Sequence, residues 1–223
     1  MIIEYRKPTF TMRLSRWILG LFGWKVILNI PKTKKFVAVG AWHTSNIDFF
    51  LAVLAAGAMG LPLKFIGKQA LVDGKLGWLM KRLGVIGVDR SKSNNVVEQI
   101  AKKFEKSEEL YLVVPAEGTR SKAEYWKTGF YYMALAAKVP IAFGTLDASK
   151  KEVGIFGWIE PTGNREEDFA KIIDYFKDKR GLKPQNQAEI KFRPERKLQS
   201  KDDSELKMPE INSELEKVQN KLD

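Results

Sequence analysis

Short apolar runs and longer amphipathic segments alternate along most of the chain, and this alternation limits the possible folds more than any other feature. The apolar runs have the length of β-strands and lie at Trp24–Ile30, Phe36–Ala41, Lys64–Ile66, Val85–Val88, Leu110–Val114, Ile141–Leu146 and Lys151–Phe156. Helical patterns lie between and after them, at Phe49–Ala58, Gly74–Leu83, Asn95–Lys106, Tyr125–Lys138 and Glu166–Lys179. Strands separated by helices of this length form crossover units. The sequence therefore predicts an α/β fold, a single domain in which a largely parallel or mixed sheet is flanked by helices.

A further helix is predicted ahead of the first strand, from about Thr9 to Phe22. Its apolar residues recur with helical spacing and form one stripe, which consists of Leu14, Trp17, Ile18, Leu21 and Phe22. Two interpretations remain open: the helix packs on the core, or it is a basic, tryptophan-bearing helix that lies in the lipid interface. We divide the chain into an N-terminal amphipathic, membrane-contacting helix (1–23), a main α/β domain (24–196) and a charged C-terminal tail (197–223).

The charge and the residue content limit the class of partner. The chain has 223 residues, a formal net charge of +11, no cysteine and one histidine. Disulfides and thiolate metal sites are therefore excluded, and we expect no metal site. The residues from Lys197 onward carry five basic and seven acidic side chains, so the positive charge belongs to the body of the protein. A basic body indicates an anionic partner: nucleic acid, an anionic membrane surface or a phosphorylated substrate.

The distribution of apolar residues bears on membrane topology. Apolar stretches are interrupted before they reach the roughly 20 residues that a membrane span requires, the first by Arg13, Arg16 and Lys25. No small-residue cleavage pattern follows a longer apolar segment, so we expect no signal peptide. We expect a protein on the cytoplasmic face of a membrane, peripheral or monotopic, without a transmembrane span.

The single histidine, His43, has a context that suits catalysis. It follows the predicted strand Phe36–Ala41, where a parallel sheet presents its functional loops, and Asp48 begins the next helical pattern five residues later. If residues 44–46 form a turn and a helix cap, Asp48 can reach back to His43. That pairing would fix one imidazole tautomer and leave the other ring nitrogen free to accept a proton from a hydroxyl group. Alternatively, Asp48 is a carboxylate that the helix dipole favours at a helix start.

Two other strand ends carry groups suited to binding an anion. Arg90 follows the strand Val85–Val88, where its planar guanidinium group can grip a phosphate or pair with Asp89. The segment Glu117–Ser121 follows the strand Leu110–Val114. In this loop Gly118 permits a tight turn, the next three residues supply donors, and the carboxylate of Glu117 can orient an arginine or a hydroxyl group. The alternative is an ordinary charged loop.

In this order and spacing, four segments resemble the glycerophospholipid acyltransferase family, the lysophosphatidate acyltransferases in particular. The family's Asn-His-x4-Asp block is matched by His43 and Asp48, and its Gly-Val-Ile-x-Ile-Asp-Arg strand by residues 84–90. Its Phe-Pro-Glu-Gly-Thr-Arg-Ser loop is matched by residues 117–121, and its Val-Pro-Ile-x-Pro strand by residues 139–141. The sequence departs from the pattern at three positions: Trp42 replaces the asparagine, Ala116 is an extra residue before the glutamate, and Phe143 replaces the second proline.

The resemblance implies an O-acyltransferase. It would move a fatty acyl chain from acyl-CoA or acyl carrier protein to the hydroxyl of a lysophospholipid, most simply 1-acylglycerol-3-phosphate to give phosphatidate. His43 would be the base and Asp48 its orienting carboxylate. The acceptor phosphate would be bound by residues of the loops after the strands: Lys68, Arg90, Glu117, Gly118, Thr119, Arg120 and Ser121. No cofactor and no nucleic-acid partner are expected. Another lysophospholipid or lipid acceptor is one alternative, and a basic nucleic-acid-binding module is the alternative from another class.

Overall fold

Seven strands and seven α-helices make up the computed structural model, which describes residues 8–88, 93–118 and 122–192, with only the backbone at 93–95. The strands are β1 Lys25–Leu28, β2 Lys35–Ala41, β3 Leu63–Lys68, β4 Val85–Val88, β5 Leu110–Pro115, β6 Ile141–Asp147 and β7 Glu152–Ile159. The helices are α1 Phe10–Leu21, α2 Asn46–Met59, α3 Gln69–Asp73, α4 Gly77–Arg82, α5 Ser93–Lys106, α6 Gly129–Ala137 and α7 Arg165–Phe176, followed by a 3₁₀ turn at Pro184–Asn186. The predicted α/β fold is confirmed.

All seven strands form one sheet in the order β1-β7-β6-β2-β5-β3-β4. Strands β2 to β6 run parallel to one another, whereas β7 is antiparallel to β6 and β1 is parallel to β7. The carboxyl ends of β2, β5, β3 and β4 therefore lie side by side at one edge of the sheet. Open parallel sheets bind their ligands at this edge.

Helices cover both faces of the sheet. Along β2, Val37 and Val39 pack into the core under α5, α6 and α7, whereas Phe36 and Ala38 pack into the core under α1 and α2. A strand that is buried on both faces needs apolar side chains at every position. This explains why β2 reads as a continuous apolar run and not as an alternating one.

The N-terminal helix crosses α2 at small residues. Its buried side chains are Met12, Ser15 and Leu19, and a Cβ atom at Gly57 of α2 would lie only 2.5 Å from the Ser15 hydroxyl oxygen. The predicted apolar stripe lies mostly on the opposite side of the helix. Four of its members are exposed, Leu14, Trp17, Leu21 and Phe22, and so is Phe10, the first residue of the helix. The helix is thus present as predicted and packs on the core, but it does so through Met12, Ser15 and Leu19 and not through the predicted apolar stripe.

Two helix boundaries differ from the sequence prediction because of tertiary contacts. The helix predicted at 74–83 begins later, as α4, since Gly77 lies directly against the carbonyl group of Val72, where no Cβ would fit; the short helix α3 before it was not predicted. Helix α6 begins at Gly129 and not near Tyr125, because the amide of Trp126 donates to the carbonyl of Lys191 and holds that segment extended. In the described part of the chain, no helix is both long and apolar enough to cross a bilayer. The C-terminal tail (197–223) lies outside the described residues.

Candidate active site

An apolar cavity of about 550 Å³ opens at the carboxyl-end edge of the sheet. Its polar lining includes His43 and Asp48. The apolar remainder comes from helix α2 and from the strands beside it, and includes Phe49, Ala52, Ala55, Met59, Leu63, Phe65, Leu146, Val153 and Ile155. A predominantly apolar cavity of this size, with a few polar groups at one place, is typical of a ligand site.

Asp48 closes the loop between β2 and α2. Ser45 is the N-cap of α2 and Asp48 is its third helical residue, so the two form a reciprocal capping box. The Asp48 carboxylate is buried, and its Oδ2 accepts from the amides of Thr44 at 2.5 Å and Ser45 at 2.6 Å. Its Oδ1 accepts from the Ser45 hydroxyl at 3.0 Å, which leaves that oxygen capacity for a further donor. The predicted turn at residues 44–46 is therefore confirmed, and Asp48 fills the helix-start role that was considered as an alternative.

His43 lies between this capped loop and the loop that follows β5. Its imidazole is half-buried at the cavity. Its backbone amide donates a 2.5 Å hydrogen bond to Oε2 of Glu117, which is 1% exposed. Glu117 therefore ties the loop after β5 to the histidine. Sequence spacing gave no signal for this contact, which joins residues 74 positions apart.

Burial is the main influence on the Glu117 carboxyl group. Loss of solvent raises the pKa of Glu117 from 4.5 to about 7, and the nearby negative charge of Asp48 acts in the same direction. Amide groups of His43 and Ala188 partly oppose the increase by favouring the ionised form. Near neutral pH the carboxyl group therefore exchanges between a neutral and an ionised form beside the amide of His43.

The three positions that depart from the family pattern lie at one packing region. Trp42 is buried, packs edge-on against Trp126 with ring centroids 5.4 Å apart, and donates from Nε1 to the carbonyl of Lys179. Ala116 is fully buried, and its carbonyl accepts from the amide of Lys127, next to Trp126. The ring of Phe143 lies 4.3 Å from that of Tyr175 in α7. Each departure therefore contributes to the packing beneath the loop that carries His43.

The remaining predicted site residues fall into two groups. Lys68 is exposed at the carboxyl end of β3, and Gly118 has φ +66°, the left-handed conformation that a tight turn requires of glycine. Arg90, Thr119, Arg120 and Ser121 lie outside the described residues. Within residues 8–88, 93–118 and 122–192, no cluster of three or more histidine or acidic side chains is arranged to hold a metal ion.

Comparison with known proteins identifies the family. Residues 25–142, more than half of the chain, match the Acyltransferase family, and the chain therefore belongs to that family. Among solved structures, it is similar to the 1-acyl-sn-glycerophosphate (LPA) acyltransferase PlsC from Thermotoga maritima, with a TM-score of 0.51, 17% sequence identity and coverage of 74% of each chain. At this identity the likeness shows a shared fold. A search of curated proteins gave no match.

Proposed function

We propose that this acyltransferase moves a fatty acyl group from an acyl thioester to the free hydroxyl of a lysophospholipid, with 1-acylglycerol-3-phosphate as the acceptor and phosphatidate as the product. The observation that carries the proposal is the apolar cavity with His43 and Asp48 in its lining. An acyl chain needs an apolar environment of this kind, and its reacting carbonyl carbon must lie beside the catalytic base.

In this proposal, the Nε2 or Nδ1 atom of His43 accepts the proton of the acceptor hydroxyl as its oxygen attacks the thioester carbon. The new C–O bond forms, the C–S bond breaks, and the proton passes from the imidazolium to the departing thiolate. Asp48 orients the ring and stabilises its positive charge, for which its Oδ1 atom retains an acceptor site. No covalent acyl-enzyme is needed, and no cofactor is required beyond the donor itself, acyl-CoA or acyl carrier protein.

The acceptor phosphate is assigned to the loops that follow β3, β4 and β5. Lys68 stands at the end of β3, and Arg90 and Arg120 follow β4 and β5 along the chain. In the sheet, β5 is the neighbour of β2, from which the His43 loop extends, and β3 and then β4 follow beyond β5. Residues 117–121 are also assigned to the phosphate site. The net positive charge of the chain before Lys197 supports an anionic acceptor.

A membrane supplies the lipid substrates, and α1 is the proposed contact. Its outward face carries Trp17 at 62% exposed and Leu21 at 62% exposed, with Arg13 and Arg16 in the same helix. A soluble surface rarely exposes several large apolar side chains together, whereas an interfacial helix does so. The basic side chains would add attraction to anionic headgroups.

The proposal is tested by acyl transfer in detergent with purified protein. Palmitoyl- and oleoyl-CoA and the matching acyl carrier proteins serve as donors, and 1-acylglycerol-3-phosphate and other lysophospholipids as acceptors. We expect transfer to 1-acylglycerol-3-phosphate to be the fastest, with the product identified by mass spectrometry. Equal rates with acceptors that lack a terminal phosphate monoester would contradict the phosphate assignment, and the absence of transfer to every lysophospholipid would contradict the proposed function.

A further inference from the structure

The residues on either side of His43 are held by a part of the chain that lies beyond the family match. The match ends at residue 142, whereas the segment Lys179–Gln187 follows α7. We call Lys179–Gln187 the brace segment. It contacts Trp42 and Thr44, the two neighbours of His43 in the sequence.

We propose that the brace segment positions His43 for catalysis, with Asn186 as its principal positioning residue; this inference rests on the proposed function. Asn186 Nδ2 donates to the carbonyl of Thr44 at 3.1 Å, and the amide of Lys183 donates to the Thr44 hydroxyl at 3.2 Å. Trp42 Nε1 donates to the carbonyl of Lys179 at 3.0 Å. Three hydrogen bonds from one segment therefore fix both sides of the histidine.

Close packing adds to these hydrogen bonds. A Cβ atom at Gly181 would lie 2.8 Å from Thr44 Cγ2 and 2.9 Å from Trp42 Cβ. The backbone of the brace segment therefore packs directly against the two residues that flank His43. Any side chain at Gly181 would push the two apart. Glycine is therefore required here by proximity and not by an unusual backbone conformation.

Gln187 gives the brace segment its own fixed shape. Its Oε1 accepts from the amide of Gly181 at 2.9 Å, and its Nε2 donates to the carbonyl of Lys179 at 3.0 Å. The same carbonyl accepts from Trp42. The Gln187 side chain thus links the two parts of the brace segment that contact the loop carrying His43. Displacement of the brace segment would therefore displace both neighbours of His43.

The geometry has a consequence for catalysis. Thr44 is held from one side by the Asp48 carboxylate and from the other side by the brace segment. Glu117 holds the amide of His43 itself. Loss of the hydrogen bond from Asn186 would leave the backbone amides of His43 and Thr44 bound to Glu117 and Asp48. It would remove the donor from the backbone carbonyl of Thr44. Small displacements of a general base reduce turnover without weakening substrate binding, because the substrate contacts lie elsewhere.

The test compares Asn186→Asp and Gly181→Ala with Gln99→Glu, a control outside the brace segment. Asn186→Asp keeps the size of the side chain but places an acceptor opposite the carbonyl of Thr44, whereas Gln99→Glu makes the same chemical change on an exposed side chain of α5. Two measurements are made on each folded variant: kcat and KM in the acyl-transfer assay, and the ring signals of His43 by NMR. Because His43 is the only histidine in the chain, its imidazole gives a single set of ring signals.

We expect the two brace variants, Asn186→Asp and Gly181→Ala, to lower kcat by about tenfold and to shift or broaden the His43 ring signals. The KM for the acyl donor and the KM for the acceptor should each change by less than about twofold. Gln99→Glu should change none of these. Brace variants that fold, turn over at the wild-type rate and keep the wild-type ring signals would overturn the proposal. If the wild-type protein transfers no acyl group, the proposed function fails, and the NMR comparison still decides whether the brace segment positions the imidazole.

Discussion

Replacing Glu117 with glutamine tests whether a buried acidic side chain beside His43 changes its protonation when the protein folds. The side chain is 1% exposed, and its burial raises the pKa from 4.5 to about 7. In the unfolded chain the group loses its proton near its ordinary pKa, whereas the folded protein keeps that proton up to about pH 7. Between these two values the folded state binds more protons, so the free energy of unfolding of the wild type falls as pH rises.

The size of this effect follows from the shift. One pKa unit corresponds to about 1.4 kcal/mol, and a shift from 4.5 to about 7 therefore costs the wild type about 2 to 3 kcal/mol between pH 5 and pH 8. Glutamine keeps the shape and the acceptor oxygen for the amide of His43 but cannot ionise. The glutamine variant should therefore gain about that much stability relative to the wild type over the same interval, whatever constant difference exists at pH 5.

Urea unfolding at pH 5 and pH 8 measures the effect, since all other titrating groups are common to both proteins and cancel. Glu108→Gln is the matched control, because it makes the same chemical change on an exposed side chain. A stability difference between Glu117→Gln and the wild type that stays constant within about 0.5 kcal/mol would refute the reasoning. It would show that Glu117 ionises in the folded protein much as it does in the unfolded chain.

Three further predictions concern the loop that carries His43 and the exposed apolar face of α1. Asp48→Ala should lower the free energy of unfolding by about 3 kcal/mol in urea titrations, because two buried amides lose their acceptor; a loss below about 1 kcal/mol would contradict the capping-box account. Trp42→Asn, which restores the family residue, should cost about 3 kcal/mol or more by the same measurement, because it leaves a cavity beside Trp126; unchanged stability would show that the packing is not specific. Leu21→Ser should lower the partition coefficient onto anionic vesicles by about tenfold in flotation assays, whereas Ile173→Ser, on a helix of the opposite face, should not; equal effects would exclude α1 as the contact.

The strands and the turn before α2 were predictable because their signals are local. Each apolar run is long enough to form a strand, and β2 needs apolar residues at every position since both of its faces are buried. Ser45 and Asp48 have the three-residue spacing of a capping box, which a sequence alone displays. The largely parallel sheet was predictable from the strand–helix alternation, because crossover connections of this length favour parallel strands, whereas no local signal gave the order of the strands.

Other features were not predictable because they depend on residues far apart in the sequence. The face of α1 that packs inward is chosen by small residues, Ser15 against Gly57, and not by the most apolar stripe of the helix. The start of α6 is set by a backbone hydrogen bond from Trp126 to Lys191. The role of Glu117 follows from its contact with His43, which no spacing rule indicates.

The region around Trp42 shows most clearly that long-range contacts could not be predicted from the sequence. From the sequence, Trp42 was only a departure from the asparagine of the family pattern. In the structure its ring packs against Trp126, and its Nε1 atom bonds to Lys179, 137 residues away. The residue that precedes His43 therefore contacts residues far away in the sequence, and these contacts are visible only when the chain is folded.

The most direct test of the central claim compares the wild type with His43→Ala in acyl transfer from oleoyl-CoA to 1-acylglycerol-3-phosphate, after both proteins are shown to be folded. The account predicts turnover by the wild type and a loss of at least about a hundredfold in the variant, since general base catalysis and positioning of the base are both removed. Turnover by His43→Ala at a rate close to that of the wild type would remove His43 from the mechanism and contradict the account.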